Sequence, residues 1–305
     1  MERRALGLMC AVVLGLSATK AAELFVPGEM VAPQAIAPGA VPDAAAPPAS
    51  AAVDPAQGHG KLGVTRVPLN AAAEGELERR LTAKAMQVGS PILIRIFKSE
   101  GLLELWVEAS GRFELFATYP ICNWSGTLGP KLTEGDKQSP EGLYSVGARQ
   151  LHYSARWRRA LDLGFPNTYD RAFKRTGSDV LVHGGCTSTG CFAMTDAAME
   201  EIFWLSEAAL SHGQKRIQVH VFPFRMTPEN LLAHAGSQWD GFWANLKEAY
   251  DLFERTRTPP AVGICDNRYV VSQSTALAPG CTENVVTVDA GRHRRWRAAR
   301  SRGPR

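Results

Sequence analysis

A histidine and two cysteines fall within nine residues of this sequence, in the run His183-Gly184-Gly185-Cys186-Thr187-Ser188-Thr189-Gly190-Cys191. A thiol beside an imidazole can be drawn to thiolate and used against a carbonyl, with the histidine acting as base and then as acid. Glycines let the main chain approach a substrate closely, and the N–H groups of Gly190 and Cys191, in a tight turn, are candidate donors to the oxyanion of an acyl intermediate. The same residues admit other chemistry. The two thiols can close a structural disulfide. With Cys122 as a fourth ligand the group can bind zinc as H-x2-C-x4-C, although the short C-x2-C unit of structural sites is missing. His183 can also be an ordinary hydrogen-bonded histidine at a strand end. Residue types alone leave nucleophile, disulfide and zinc side by side.

The elements that must carry this run are readable on either side of it. Asp179 to His183 reads as a short strand entering it. Thr195 reads as the N-cap of a helix leaving it, with Met199, Ile202, Phe203, Ala209 and Leu210 on one face and Gly213 as the stop. Ile217 to Val221 is a further strand. Upstream, Leu77, Leu81, Ala85 and Val88 share a helical face over 74–88, followed by the β-rich run Ile92 to Phe97. Leu103, Leu105 and Val107 alternate with Glu104, Trp106 and Glu108. Phe113, Leu115, Ala117 and Tyr119 repeat the alternation after a Ser110-Gly111 turn, which predicts a hairpin. Cys122 to Pro140 reads as a long loop and Gly142 to Val146 as a strand. Thr227-Pro228-Glu229 opens a helical region that runs through Trp239, Phe242, Trp243, Leu246 and Tyr250 to Pro259-Pro260, the two tryptophans falling on its apolar stripe.

Composition bounds the class. With 305 residues, 45% hydrophobic and 21% charged, the chain is a folded protein with room for one large domain or two small ones. No run of eighteen apolar residues occurs, so no integral membrane span is expected. The net charge of +4 is misleading, because seven arginines and no acid lie in the last fifteen residues. The body between 22 and 290 has more acids than bases, and nucleic acid is not an expected partner. Arg3 and Arg4 before the apolar stretch Ala5 to Ala18, then small residues, give the layout of a secretory signal peptide, with Cys10 discarded on cleavage. Five cysteines then remain for an oxidising compartment, and an odd count leaves a thiol unpaired unless chains cross-link. Seven prolines and eleven alanines between Pro27 and Ala56 make an extended spacer. The expected organisation is a signal peptide over 1–21, a linker over 22–70, a catalytic domain over 71–225, a helical extension with a short strand segment over 226–290, and an Arg-rich tail over 291–305.

Several stretches carry a resemblance to a known family. They are Ile94-Arg95-Ile96-Phe97-Lys98, Tyr119-Pro120-Ile121-Cys122, Gly135-Asp136-Lys137-Gln138-Ser139-Pro140-Glu141-Gly142, Phe165-Pro166-Asn167-Thr168-Tyr169-Asp170-Arg171, His183-Gly184-Gly185-Cys186 and Phe242-Trp243-Ala244-Asn245-Leu246-Lys247. Over roughly Leu77 to Val271 the chain resembles the L,D-transpeptidases with a YkuD-type catalytic domain, and more closely their YafK-like branch. The broad family's Ser/Thr-His-Gly-Cys is met by Ser188-Thr189-Gly190-Cys191, with Thr189 in place of the histidine, and its upstream His-Gly by His183-Gly184. The interval between the two halves is shorter here, and Ala193 replaces a polar residue two positions after the cysteine.

The resemblance implies an α+β, β-predominant fold: a β-sandwich-type catalytic domain with packed helices. It implies Cys191 as nucleophile, His183 as base, the Gly184 carbonyl orienting the imidazole, and the Gly190 and Cys191 amides as oxyanion donors. No metal or organic cofactor is implied. Cys186 is a second thiol of undecided role. Pairing with Cys122 is open to it, and together with a Cys265–Cys281 bridge that would leave Cys191 as the one free thiol of five. The implied activity is an L,D-transpeptidase reaction on peptidoglycan stem peptides containing diaminopimelate, in the periplasm, with an amine or water resolving the acyl-enzyme. An amidase that detaches a lysine-linked envelope protein, and a non-catalytic peptidoglycan-binding protein, are the alternatives. Ser188, Tyr169, Arg171 and Arg175 are candidate substrate contacts, the arginines as clamps for stem carboxylates.

Overall fold

The computed structural model describes residues 69–154, 158–273 and 281–285, all of them within the unit Gly60–Arg305. The expected signal peptide, most of the linker and the Arg-rich tail lie outside the described residues.

A five-stranded sheet runs in the order β3-β2-β1-β9-β4, from β1 (Ile92–Phe97), β2 (Leu102–Ala109), β3 (Arg112–Pro120), β4 (Gly142–Val146) and β9 (Ile217–Phe222). Only the β1–β9 pairing is parallel. Six residues of β1 are buried on both faces. Ile92, Ile94 and Ile96 enter the main core, while Leu93 and Phe97 enter two cores on the opposite face. Period-two geometry makes this split automatic, and cover on both sides explains a strand with no solvent face. β2 alternates as its sequence predicts, with Leu103, Leu105 and Val107 in the main core and Trp106 on the other side. Ser110 and Gly111 turn into β3 with φ of 57° and 89°, the left-handed pair of a two-residue hairpin turn.

β3 departs from the expected alternation. Leu105 pairs with Ala117 but Trp106 pairs with Leu115, so Phe116 is an extra residue. This bulge reverses the faces within the strand. Phe113 and Leu115 pack beside Trp106, whereas Phe116, Ala117 and Tyr119 turn to the main core.

A second, four-stranded sheet has the order β5-β6-β7-β8, from β5 (Leu151–Ser154), β6 (Arg158–Asp162), β7 (Leu181–His183) and β8 (Phe192–Ala193). β7 and β8 are parallel, and their Val182 and Phe192 enter the same main core as Ile94 and Val219. Between the sheets lies α3 (Asp196–Ser211), capped by the Thr195 hydroxyl accepting from the Ala198 N–H at 3.2 Å. Met199, Ile202 and Phe203 supply its buried face. The N-terminal helix α1 (Ala71–Ala83) adds Leu77 and Leu81 and stops before Val88, because the chain turns left-handed at Ala85 (φ 55°).

The expected long helix after Thr227 is two helices, α4 (Pro228–Ala233) and α5 (Asp240–Thr256). Gly236 breaks them at φ 85°, a conformation that costs glycine little. α5 covers the far face of the five-stranded sheet through Trp243, Leu246, Ala249 and Phe253. A short helix α2 (Thr168–Ala172) and a small antiparallel sheet β11-β10-β12, from β10 (Ala261–Cys265), β11 (Arg268–Ser272) and β12 (Thr282–Val285), complete the described residues. Leu143, Tyr169 and Phe222 share one core with Trp243, Val262 and Tyr269, from either side of position 226.

Candidate active site

Strand register sets the two chemical residues. Val182 pairs with Phe192 and His183 with Ala193, so Cys191 stands beside Leu181, one position earlier on the neighbouring strand. The Leu181 N–H donates to Cys191 Sγ at 3.4 Å, as that adjacency requires. Positions 181, 183, 191 and 193 then project from one face, and Val182 and Phe192 anchor the other in the core. Strand spacing and rise put the Cα atoms of His183 and Cys191 about 8 Å apart.

His183 is buried, and its Nδ1 lies 2.6 Å from the Gly184 carbonyl oxygen. A carbonyl only accepts, so Nδ1 carries the proton and Nε2 is the basic nitrogen. The Met194 N–H donates to the His183 carbonyl at 2.7 Å, tying the strand end to the residue before the Thr195 cap. A Cβ at Gly184 would stand 2.6 Å from Asp196 Oδ1, so a side chain there would require the Asp196 carboxylate to move.

Cys191 is the free cysteine among the described residues, and half-buried. Its Sγ faces the Asp179 carbonyl at 3.5 Å as well as the Leu181 N–H. Burial pushes the thiol above its ordinary pKa; the Leu181 N–H opposes this, Asp179 and Asp162 add to it, and Lys131 works against it. The thiol is therefore protonated at neutral pH in this arrangement, and attack on a carbonyl calls for a base at the moment of reaction. A cavity of about 150 Å³ opens beside it, lined by Lys131, Glu134, Lys137, Asp179 and Gly190 among others.

The other two cysteines of this region are joined as Cys122–Cys186, and Cys265 is joined to Cys281. The first bridge removes Cys122 and Cys186 from the thiolate ligands that the zinc reading required. It also staples the turn after β7 to the segment that follows β3. Cys122 and Asn123 reinforce that contact by donating to the Ala193 carbonyl at 2.8 and 3.3 Å.

The remaining expected contacts divide. Ser188 belongs to the turn, donating from Oγ to the Cys191 carbonyl at 2.7 Å. Tyr169 is buried, stacked on Tyr269 at 4.3 Å between centroids, and belongs to the second core. Arg175 is buried in an ion pair with the buried Asp170 at 2.8 Å, and using it as a carboxylate clamp would strip that acid of its cation. Arg171 is exposed but bonds back to the Pro166 carbonyl and to Thr168 Oγ1. None of these three is among the residues that line the cavity beside Cys191.

Three residues that sequence reasoning passed over hold the turn. The Gly190 N–H, an expected oxyanion donor, donates to Ser125 Oγ at 2.5 Å, and an acyl oxygen would have to displace or share that acceptor. Ser139 Oγ donates to the Cys191 carbonyl at 3.0 Å. Lys98, at the end of an apolar strand, lies fully buried and donates to the Ser139 carbonyl at 3.0 Å. The available signal was a cation closing a run of buried-type residues, which demands a partner.

Two curated proteins, from Escherichia coli strain K12 and Escherichia coli O157:H7, are 46% identical to this chain over 190 residues, covering 62% of it and 77% of each relative. Both carry the name "Putative L,D-transpeptidase YafK". No family model matches the chain. Among solved structures, the helical cell shape determining protein Pgp2 from Campylobacter jejuni aligns with TM-score 0.36 and 18% identity, covering 58% of this chain and 64% of that one. Bd1075 from Bdellovibrio bacteriovorus aligns with TM-score 0.31 and 18% identity, covering 54% and 62%.

Proposed function

Since this chain belongs to the L,D-transpeptidase family, in its YafK-like branch, we propose that it is a cysteine-dependent acyltransferase of peptidoglycan stem peptides, with the acyl-enzyme at Cys191. The observation behind this is geometric. The free thiol lines a cavity on the same face of the β7–β8 pair as an imidazole whose Nδ1 is committed to the Gly184 carbonyl.

In the first step His183 Nε2 takes the thiol proton as Cys191 Sγ attacks the stem carbonyl. The tetrahedral oxyanion takes up the Gly190 N–H, displacing Ser125 Oγ. Collapse breaks the C–N bond, and the departing amine takes the proton from His183, leaving a thioester. An amine or water then attacks the thioester, gives its proton to His183 and releases the Cys191 thiolate, which the imidazolium reprotonates. A second stem amine yields a cross-link. Water yields a trimmed stem, or, where the departing amine was the lysine of an envelope protein, detachment of that protein. Export to the periplasm belongs to the same reading, because the substrate lies there.

The test is mass spectrometry of muropeptides after isolated sacculi are incubated with the mature protein and with Cys191→Ala. New diaminopimelate-to-diaminopimelate cross-links that vanish in Cys191→Ala support the transpeptidase. Loss of lysine-bearing stems that Cys191→Ala abolishes makes it the detaching amidase. Products that persist in Cys191→Ala overturn the nucleophile.

A further inference from the structure

We propose that Lys98 is a positioning residue for the Cys191 site: through Ser139 and Ser125 it fixes the two main-chain groups that flank the thiol, the Gly190 N–H and the Cys191 carbonyl. The inference rests on the reading of Cys191 as nucleophile.

Lys98 follows β1 and is completely buried, an expensive place for an ammonium unless every proton is used. Four acceptors converge on Nζ: the carbonyls of Thr127, Gly129 and Ser139 at 2.8, 2.9 and 3.0 Å, and Glu141 Oε1 at 3.0 Å. Three protons for four acceptors means that one proton is shared. Glu141 is equally buried and equally spent. Its Oε1 also accepts the Gly129 N–H at 2.6 Å, and its Oε2 accepts Trp243 Nε1 at 2.8 Å. The ion pair thus ties the end of β1, the 125–141 loop and α5 into one unit.

The loop's remaining polar groups lead to the site. Ser139 and Ser125 form a reciprocal pair, the Ser139 N–H donating to the Ser125 carbonyl at 2.8 Å and the Ser125 N–H donating to Ser139 Oγ at 3.1 Å. From that pair Ser139 Oγ reaches the Cys191 carbonyl, and Ser125 Oγ receives the Gly190 N–H. Gly190 is left-handed at φ +105°, a conformation open to glycine, and its N–H is directed at Ser125 Oγ. The loop, which has no regular strand or helix between β3 and β4, has the Lys98 ammonium as its centre. Cores anchor strands by apolar burial. Here a buried charge anchors a loop by collecting its carbonyls, and the loop in turn sets the turn that carries the thiol.

The test uses the full mature protein and three variants: Lys98→Met, Glu141→Gln, which keeps shape and loses the charge that holds the ammonium, and Ser139→Ala, which removes the Ser139 Oγ bonds to the Ser125 N–H and the Cys191 carbonyl and leaves the Lys98–Glu141 pair intact. Amide hydrogen exchange at Gly190 and product formation from sacculi are both measured. The inference predicts at least tenfold faster exchange at Gly190 in all three, with amides of Ile94 and Val219 at their wild-type rates in Ser139→Ala and Glu141→Gln. It predicts kcat lower by at least tenfold with KM within twofold. The combined Glu141→Gln/Ser139→Ala variant should be no worse than the poorer single one, because the links are in series. Wild-type exchange at Gly190 in folded Glu141→Gln overturns the inference. So does faster exchange spread equally over Ile94 and Val219, which marks a merely structural pair. If Lys98→Met does not fold, the other two variants decide. If wild type itself leaves sacculi unchanged, the proposed function fails while the exchange result still judges the brace.

Discussion

The two sheets that share the main core are held by different forces. β1 contributes six residues buried on both faces, and its neighbours β2 and β9 add Leu103, Leu105, Val219 and Val221. β8 contributes two residues, Phe192 and Ala193, and only Phe192 reaches that core. Besides the burial of Phe192, β8 and its turn are held by polar and covalent links: the Cys122–Cys186 bridge, the Asn123–Ala193 bonds, and the bonds from Ser139 and Ser125. A large sheet secured by apolar burial tolerates changes at the thiol. A two-residue strand does not tolerate changes in its braces. The candidate site lies where the main chain is held by discrete bonds, and those bonds can be cut one at a time.

The sharpest way to probe the weaker side is at the base. His183→Gln should lower kcat for sacculus products by 10²- to 10⁴-fold, the usual range for a lost acid–base group. A kcat within threefold of wild type would mean that the imidazole serves only the strand end. Next in size is the bridge. Cys122→Ser/Cys186→Ser releases a separation of 64 residues, which the chain-entropy relation converts to about 4 kcal/mol of unfolding free energy. Urea unfolding measures it, and a change under 1 kcal/mol would show that the serine brace alone holds the turn.

The apolar side has its own weak point. His220, on β9, is fully buried beside Arg95, and burial first, then that guanidinium, pushes its pKa down to about 3 from 6.5. Below pH 6.5 the unfolded chain takes up a proton that the native histidine refuses. Stability is therefore full above 6.5 and falls as pH drops towards 3, by about 2 kcal/mol at pH 5. Unfolding curves at pH 7 and pH 5 should show this loss, and His220→Gln should remove most of it; an unchanged slope in His220→Gln would place the acid sensitivity elsewhere. Smallest is the effect of one charge on the thiol. Asp179→Asn should raise the rate of Cys191 alkylation at pH 7 by a few fold, because Asp179 helps to hold the thiol protonated. A rate equal to or below wild type would mean that Asp179 acts on Cys191 through its carbonyl alone.

Legibility in the sequence followed the same division. Where apolar periodicity carried the information, the elements could be read: β1, the β2 alternation, the Ser110-Gly111 turn, the Thr195 cap and β9 all have the predicted positions. Periodicity has no mark for an inserted residue, so the Phe116 bulge and its reversal of faces were missed. It also continued a helix across Gly236, where one left-handed glycine was enough to end it. Around the thiol, the grouping of His183 and Cys191 on one face follows from strand register, which no local pattern encodes. For Arg175 and Tyr169 the residue types leave substrate contact and structural roles both open; their partners, Asp170 and Tyr269, are buried neighbours that only the fold brings to them. Ser125 and Ser139 were two serines in a polar loop, and nothing short of the bonds to Gly190 and Cys191 distinguishes them.

The most direct measurement is intact-protein mass spectrometry of the mature protein quenched in acid during incubation with a soluble stem-peptide fragment, followed by peptide mapping. The account predicts an added mass equal to the acyl portion of the stem, located on the peptide that contains Cys191 and absent from Cys191→Ala. An acyl adduct mapped to any other residue, or turnover that continues in Cys191→Ala, contradicts it.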